Sequence, residues 1–490
     1  MDAVEGRICD PVEVTRPFAD IEPFPEEKKA ETDRLLEEAV RADGRKILVL
    51  DDDPTGVQTV HDISVYTDWS VKSLQSGLEE GNKCFFVLTN SRGLTRAQTT
   101  QAHREIMRNA AEASRRSGKP FVIVSRSDST LRGHYPLETE LIAEGLRELG
   151  TPADGEILCP YFKEGGRYTL DDTHYVRYGE TLVPAAQTEF AADKTFGYRH
   201  SDLKEYIEEK TEGAYPASDV VSITLEELRA LRIEQIAGKL MSVRGFGKVI
   251  VNACDDYDVR VFCIALYRAL SAGKTFCYRS AAAFVKALAN IPDKQLLTRA
   301  EMVSDESRCG GIVVVGSHTA KTTAQLERLK TLEGIVPIEM NSDLVIEEGA
   351  LEQETKRIVA ACERLIRAGS TPVVYTRRKL LTVSNDTPED ALLRSVRISE
   401  AVQSVVGNLQ ITPAFIIAKG GITSSDIGTR ALKVKRARVL GQIRPGIPVW
   451  QTGGESRFPG IAYVIFPGNV GSDETLLEAA QILMNRQPAR

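Results

Sequence analysis

Three carboxylates stand in a row at Asp51-Asp52-Asp53, ahead of Pro54-Thr55-Gly56. Like charges at that spacing repel, so the run calls for a cation, a sugar hydroxyl or backbone amides to take up its charge. The plainer alternative is a turn of solvated aspartates closed by Pro and Gly. A second cluster, Ser125-Arg126-Ser127-Asp128-Ser129-Thr130-Leu131-Arg132-Gly133-His134, gathers two guanidinium forks, an imidazole and several hydroxyl or carboxylate partners. It suits a small polyhydroxylated anion, because Arg binds a carboxylate bidentately. Asn90-Ser91-Arg92 adds another Arg. Late in the chain come Gly316-Ser317-His318-Thr319, Gly420-Gly421-Ile422-Thr423-Ser424-Ser425-Asp426, Gly453-Gly454-Glu455-Ser456 and Pro467-Gly468-Asn469-Val470-Gly471. Glycine at a strand-to-helix turn lets backbone N–H groups reach phosphate oxygens, and Ser or Thr can cap the helix that follows. Any one of these is an ordinary turn; four in one stretch favour phosphate. Neither GxxxxGK[ST] nor an opening GxGxxG is present, so a nucleotide would be held in another way.

The elements that must position these residues follow from hydropathy. The runs 46–50, 84–88, 121–124, 156–159, 220–223 and 248–251 read as strands buried on both faces. Segments 95–116, 136–149, 225–243 and 259–272 carry helical periodicity between them. The alternation restarts with strands at 311–315, 336–340, 371–375, 414–418 and 463–466 and helices at 321–332, 351–368, 389–407 and 473–485. Alternating strand and helix predict an α/β fold: two domains, each a mostly parallel, helix-covered sheet, with the active site in the cleft between them. Except for Gly453–Ser456, each chemical cluster above follows a predicted strand, where open α/β sheets bind ligands. The polar stretch 291–309 marks the boundary, giving a first domain over 45–292 and a second over 310–490. Residues 1–44, with Pro11, Pro17, Pro23 and Pro25 and a helix over 26–42, form an extension that packs on a domain or a partner. A small hairpin or flap is expected over 167–190.

Composition narrows the function classes. With 490 residues, 42% hydrophobic, and a net charge of -7, the chain is an ordinary globular one that would repel a polyanion. Nucleic acid is therefore not an expected partner. The longest apolar run, Val261 to Tyr267, is too short to cross a bilayer. The eight cysteines form no CxxC pair, and several lie in strand-like runs, which predicts buried thiols and a cytoplasmic protein. Of the six histidines only His134 and His318 lie inside motifs, and no HxH or HExxH spacing suggests a metal site. Oligomeric state is left open, a homodimer included.

DDDPTG after the first strand, SRSDSTLRGH after the third, then GSHT, KGGITSS, Gly446-Ile447-Pro448-Val449-Trp450 and PGNVG resemble the four-carbon acid sugar kinase family, from about Lys46 to the C-terminus. The resemblance implies an ATP-dependent kinase with Mg²⁺, acting on a small-molecule sugar acid such as a threonate, an erythronate or a 3-oxo-tetronate. It places Asp52, Asp53, Thr55 and Gly56 at the acceptor site, with Asp52 or Asp53 as general base and Asp128 as the alternative. It assigns Arg126, Ser127, Asp128, Ser129 and Arg132, with Arg92, to the acid. It assigns Ser317, Gly420, Gly421, Ile422, Thr423, Ser424 and Gly468 to ATP. The metal ligands stay unassigned. The chain departs from the family pattern in having Ile465-Phe466-Pro467, without a Lys, before Gly468; Arg444 and Lys419 are the candidate replacements. Two rival readings remain. Asp51-x-Asp53-x-Thr55 with Asp255-Asp256 imitates a Mg-dependent haloacid dehalogenase-like phosphatase, and the same fold without catalysis would be a sugar-acid-binding protein.

Overall fold

The computed structural model describes residues 14–379, 381, 387–468 and 470–484. Cys9, Pro11, Asn469 and Asn485 lie outside them. The chain divides into two compact units, one of residues up to Gly44 with Val124–Asn290, the other of Arg45–Ile123 with Ile291–Arg490. This division places the acidic loop at Asp51 in the same unit as the glycine loops of the C-terminal half.

In the first unit, Val221–Ile223, Gly247–Val251, Gly155–Cys159 and Phe276–Ser280 lie side by side, all parallel. Phe276–Ser280 pairs further with Ser125 and Arg126. Their side chains are almost all buried, which explains why the runs read as continuous rather than alternating hydrophobics. Helix Asp256–Ser271 covers the sheet, and the extension helix Glu26–Ala42 packs along it. There Asp33 accepts from Tyr257 Oη (3.0 Å) and Arg260 Nη1 (2.6 Å), and Phe24 stacks on Tyr257. The expected hairpin is a meander of Arg167–Leu170, Thr173–Tyr178 and Thr181–Pro184, with Arg16–Pro17 on its edge. One expected helix, 225–243, is two: Leu225–Arg229 and Ile233–Ser242. The break is at Leu231, whose φ of 54° is left-handed with no Gly or Pro to announce it.

In the second unit the order is Lys46–Asp51, Cys84–Leu88, Ile63–Tyr66, Arg436–Arg444, Ile447–Thr452, Ala462–Phe466, Phe415–Lys419, Ile312–Val315, Thr371–Thr376 and Ile335–Met340. Both flanks are parallel, and the central pairings around Arg436–Arg444 and Ile447–Thr452 are antiparallel. The pairing of Ile63–Tyr66 with Arg436–Val439 ties the early segment to the C-terminal half. The core beneath the C-terminal strands gathers Val313, Val373, Ile417, Val464, Phe466, Leu326 and Leu476. Burying each such side chain contributes about 1.5–3 kcal/mol.

Candidate functional site

Asp51 ends its strand, and its backbone carbonyl accepts from Thr89 N and Thr89 Oγ1, both at 2.9 Å, which ties the acidic loop to the loop after Cys84–Leu88. Its side chain is 1% exposed, and a Cβ on Gly56 would fall on its carboxylate, so only glycine fits over it. Asp52 is clamped by Arg92, with Nη2 at 2.6 Å from Oδ1 and Nε at 3.1 Å from Oδ2. Asp53 sits differently. Its Oδ1 accepts from Thr55 N (2.8 Å) and Thr55 Oγ1 (2.5 Å), while its Oδ2 lies 3.4 Å from Arg92 Nη1. One guanidinium therefore offsets two carboxylates, and Asp53, with 21% of its side chain exposed against 3% for Asp52, is the more accessible. An ideal Cβ on Gly421 would lie 3.8 Å from Asp53 Oδ2, which brings the acidic loop beside the glycine loop predicted for ATP.

That glycine loop starts at Gly420, whose φ of 116° excludes most other residues, and a Cβ there would crowd Ser317 Cβ at 3.1 Å. Gly421–Asp426 is helical, with Ser424 buried, Ser424 Oγ donating to Ala418 O at 2.8 Å, and Ile422 74% exposed. Thr322 Oγ1 reaches Ser317 Oγ (3.1 Å) and Gly468 O (3.2 Å), so Ser317 and Gly468 are neighbours. Three cations sit on the carbonyls of these loops. Lys419 Nζ donates to Pro467 O (2.6 Å) and Gly468 O (3.1 Å), Lys321 Nζ to Gly471 O (2.9 Å), and Arg378 Nη2 to Ser317 O (2.6 Å). Among the described residues none of the three makes an ion pair with a carboxylate, and Arg378 Nη1 is buried without a hydrogen-bond partner. Burial, and then the nearby Lys321 ammonium, pulls Lys419 down to about 7. Of the two candidate replacements for the Lys absent before Gly468, Lys419 reaches that loop. Arg444 does not, because Glu478 holds it at 2.7 Å. Sequence reasoning missed Lys321 and Arg378. Arg378 lies just beyond the strand Thr371–Thr376, and the strand-end rule that found the other loops would have found it.

The residues predicted for the acid lie in the first unit. Asp128 accepts from Arg132 Nε on Oδ2 (2.7 Å) and Arg132 Nη2 on Oδ1 (3.3 Å), and also from Thr130 Oγ1. Asp128 and Arg132 thus brace one loop. Ser127 Oγ lies 3.0 Å from Ser125 Oγ, Arg126 is buried, and Ser129 is partly exposed. His134 meets Phe196 edge-on. Leu131, at φ 68°, and Gly133, at φ 114°, give the loop its turn.

Two motifs prove structural. Asp255 caps helix Asp256–Ser271 by accepting from Tyr257 N (3.0 Å), while Asp258 accepts from Cys254 N and Asp255 N and pairs with Arg229. The acidic pair that imitated a magnesium site is a helix start. Gly453-Gly454-Glu455-Ser456 follows the antiparallel strand Ile447–Thr452, so it leaves the sheet at the end opposite the loops after Phe415–Lys419 and Ala462–Phe466. Its Glu455 Oε1 accepts from Lys435 N and Arg436 N instead of serving a phosphate. His318 is tied by Nε2 to Arg377 O (3.1 Å) and Thr376 Oγ1 (3.0 Å), with burial and then Arg378 lowering its pKa. The described cysteines are free thiols, nearly all buried. No helix among the described residues is long and apolar enough to cross a membrane.

Residues 47–288 match the sugar-binding N-terminal domain and residues 312–476 the nucleotide-binding C-terminal domain. A search of curated proteins finds no match. Among solved structures, a Salmonella typhimurium LT2 protein provisionally described as a tRNA synthase aligns with TM-score 0.66 at 15% identity, over 89% of this chain and 98% of that one. Protein HI1011 of Haemophilus influenzae, which carries the family designation DUF1537, aligns with TM-score 0.59 at 16% identity, over 89% of this chain and 100% of that one. At such identities these likenesses speak for the fold alone. The pairing of a sugar-binding with a nucleotide-binding domain decides the family: the chain belongs to the four-carbon acid sugar kinase family.

Proposed function

We propose that this protein is an ATP-dependent kinase that phosphorylates a hydroxyl of a small sugar acid, of the threonate, erythronate or 3-oxo-tetronate class. The observation that carries the reading is the approach of Asp53 Oδ2 to Gly421. It sets a carboxylate that can take a hydroxyl proton beside a loop rimmed by carbonyl-held cations. Phosphoryl transfer asks little covalent chemistry of the protein; it needs positioning, a base and neutralised charge. Asp53 is the favoured base, because Arg92 clamps Asp52 and Arg132 clamps Asp128. Lys419, Lys321 and Arg378 supply positive charge for the triphosphate, and Ser317, Thr423, Ser424 and the glycines Gly420, Gly421 and Gly468 leave room for its oxygens. Among the described residues no group of three or more His, Cys, Asp or Glu is arranged to hold a metal. Mg²⁺ arriving with the nucleotide would supply further positive charge against the triphosphate. In the first domain, Arg126, Ser127, Ser129 and Arg132 are the proposed contacts to the acid's carboxylate and hydroxyls. The phosphatase reading is disfavoured because Asp51, its required nucleophile, is buried under Gly56.

The test is ADP formation from Mg²⁺-ATP against D- and L-threonate, D- and L-erythronate and their 2- and 3-oxo derivatives. Acid-dependent ADP formation with at least one member is the expected result. No ADP formation across the panel, with no thermal stabilisation by ATP, sinks the reading.

A further inference from the structure

The meander, the turn and helix after it, and strand Phe276–Ser280 have no part in the reading above, yet together they touch the acid loop at four successive peptide groups. His174 Nε2 lies 2.8 Å from Ser129 O, and Tyr198 Oη donates to Thr130 O at 2.8 Å. Tyr206 Oη donates to Leu131 O at 2.8 Å, and Arg279 Nη2 donates to Arg132 O at 3.0 Å. The donors come from strand Thr173–Tyr178, the turn before Leu203–Lys210, that helix itself, and strand Phe276–Ser280. A carbonyl can only accept, so His174 carries its proton on Nε2. Its Nδ1 then accepts from Thr169 Oγ1 at 3.0 Å, which fixes one neutral tautomer. Burial, with Arg167 and Arg279 opposing a positive charge, takes His174 down to about 4 and so keeps that tautomer at neutral pH. Burial likewise raises both phenols, so each keeps its donating proton. Leu131 itself is buried against Tyr135, Tyr198, Tyr206 and Leu203, and Tyr206 stacks on Tyr135.

Holding a carbonyl fixes the plane of its peptide group, and four in a row fix the directions in which Ser129 and Arg132 leave the backbone. The arrangement also holds Leu131 in a left-handed conformation that L-residues rarely adopt. We propose that His174, Tyr198, Tyr206 and Arg279 are positioning residues that preorganise the loop Ser129–Arg132 for its sugar acid. The chain from His174 to Tyr206, together with Arg279, then sets acid affinity. This rests on the kinase reading and adds to it an assignment for the inserted segment.

The test uses the full chain and the isosteric double variant Tyr198→Phe/Tyr206→Phe, with Tyr66→Phe as a distant control for loss of a phenol. The readouts are KM for the acid, KM for ATP, kcat, and the melting shift on adding ATP. In the double variant the acid KM rises about tenfold, equivalent to ~1.4 kcal/mol. ATP KM and the ATP-induced melting shift stay at the unmodified values, and kcat changes less than about twofold, the split expected when a uniform binding contact is lost. A purely structural role would instead lower the melting point and move both KM values together, which overturns the proposal. An unchanged acid KM in the double variant, with normal turnover by the unmodified protein, also overturns it and leaves the kinase reading intact. Absence of acid-dependent turnover in the unmodified protein overturns the kinase reading and this one with it.

Discussion

Cations are handled in opposite ways by the two groups of loops. In the first unit Arg132 spends its fork on both oxygens of Asp128. In the glycine loops of the second, Lys419, Lys321 and Arg378 rest on backbone carbonyls, while Arg92 in the acidic-loop region pairs with Asp52 and Asp53. A carboxylate cancels a positive charge, whereas a carbonyl dipole orients it and leaves most of the charge to act on a ligand. The carbonyl-held set is therefore fitted to a ligand with several negative charges. The paired set is fitted to one that brings hydroxyls and a single carboxylate. This difference supports the proposal that one set takes the triphosphate and the other the acid.

The comparison can be broken or sharpened in four ways. The largest effect is expected at the proposed base: Asp53→Asn lowers kcat by about 10³-fold while ATP still raises the melting temperature, measured by coupled ADP formation and thermal shift. Next, Gly421→Leu fills the space beside Asp53 Oδ2 and lowers kcat/KM by about 10²-fold; unchanged activity would remove the glycine loop from the site. Third, Lys419→Met raises KM for ATP by about 30-fold, the scale of a lost charge-assisted contact, and leaves the acid KM alone. The same lysine gives a pH signature. With its pKa at about 7 in the free protein, it is largely neutral above that pH, and a bound polyanion draws a proton onto it. ATP affinity then falls by up to about tenfold per pH unit above ~7, with uptake of one proton seen by calorimetry in buffers of different ionisation enthalpy. Both signs vanish in Lys419→Met. The smallest effect sharpens the assignment: Arg444→Met, which removes only a partly exposed pair with Glu478, changes ATP KM by less than about twofold.

Much of this architecture was legible in the sequence because buried parallel strands are written as continuous apolar runs. KILVL, CFFVL, GIVVV and FIIA each lie in a strand, and every one of those strands ends at a loop with polar or glycine-rich character. Ile63–Tyr66 and Arg436–Arg444 escaped because their pairing joins segments far apart in the chain, and Arg436–Arg444 alternates polar and apolar residues. Phe276–Ser280 escaped because Cys, Arg and Ser interrupt its hydrophobic run. At the proposed site, the motifs named loops at strand ends but not the pairing within them. Arg92 reaching back to the Asp52 carboxylate, Lys419 under the Gly468 carbonyl and the capping role of Asp255 are contacts that no spacing rule encodes.

The most direct test of the central claim follows the phosphoryl group itself, by mass spectrometry of the acid alongside ADP and inorganic phosphate in one reaction. The account predicts that each ADP is matched by one sugar acid heavier by one phosphoryl group, with no free phosphate beyond the blank. ADP matched by inorganic phosphate with the acid unmodified, or phosphate released from a sugar-acid ester without nucleotide, would contradict it.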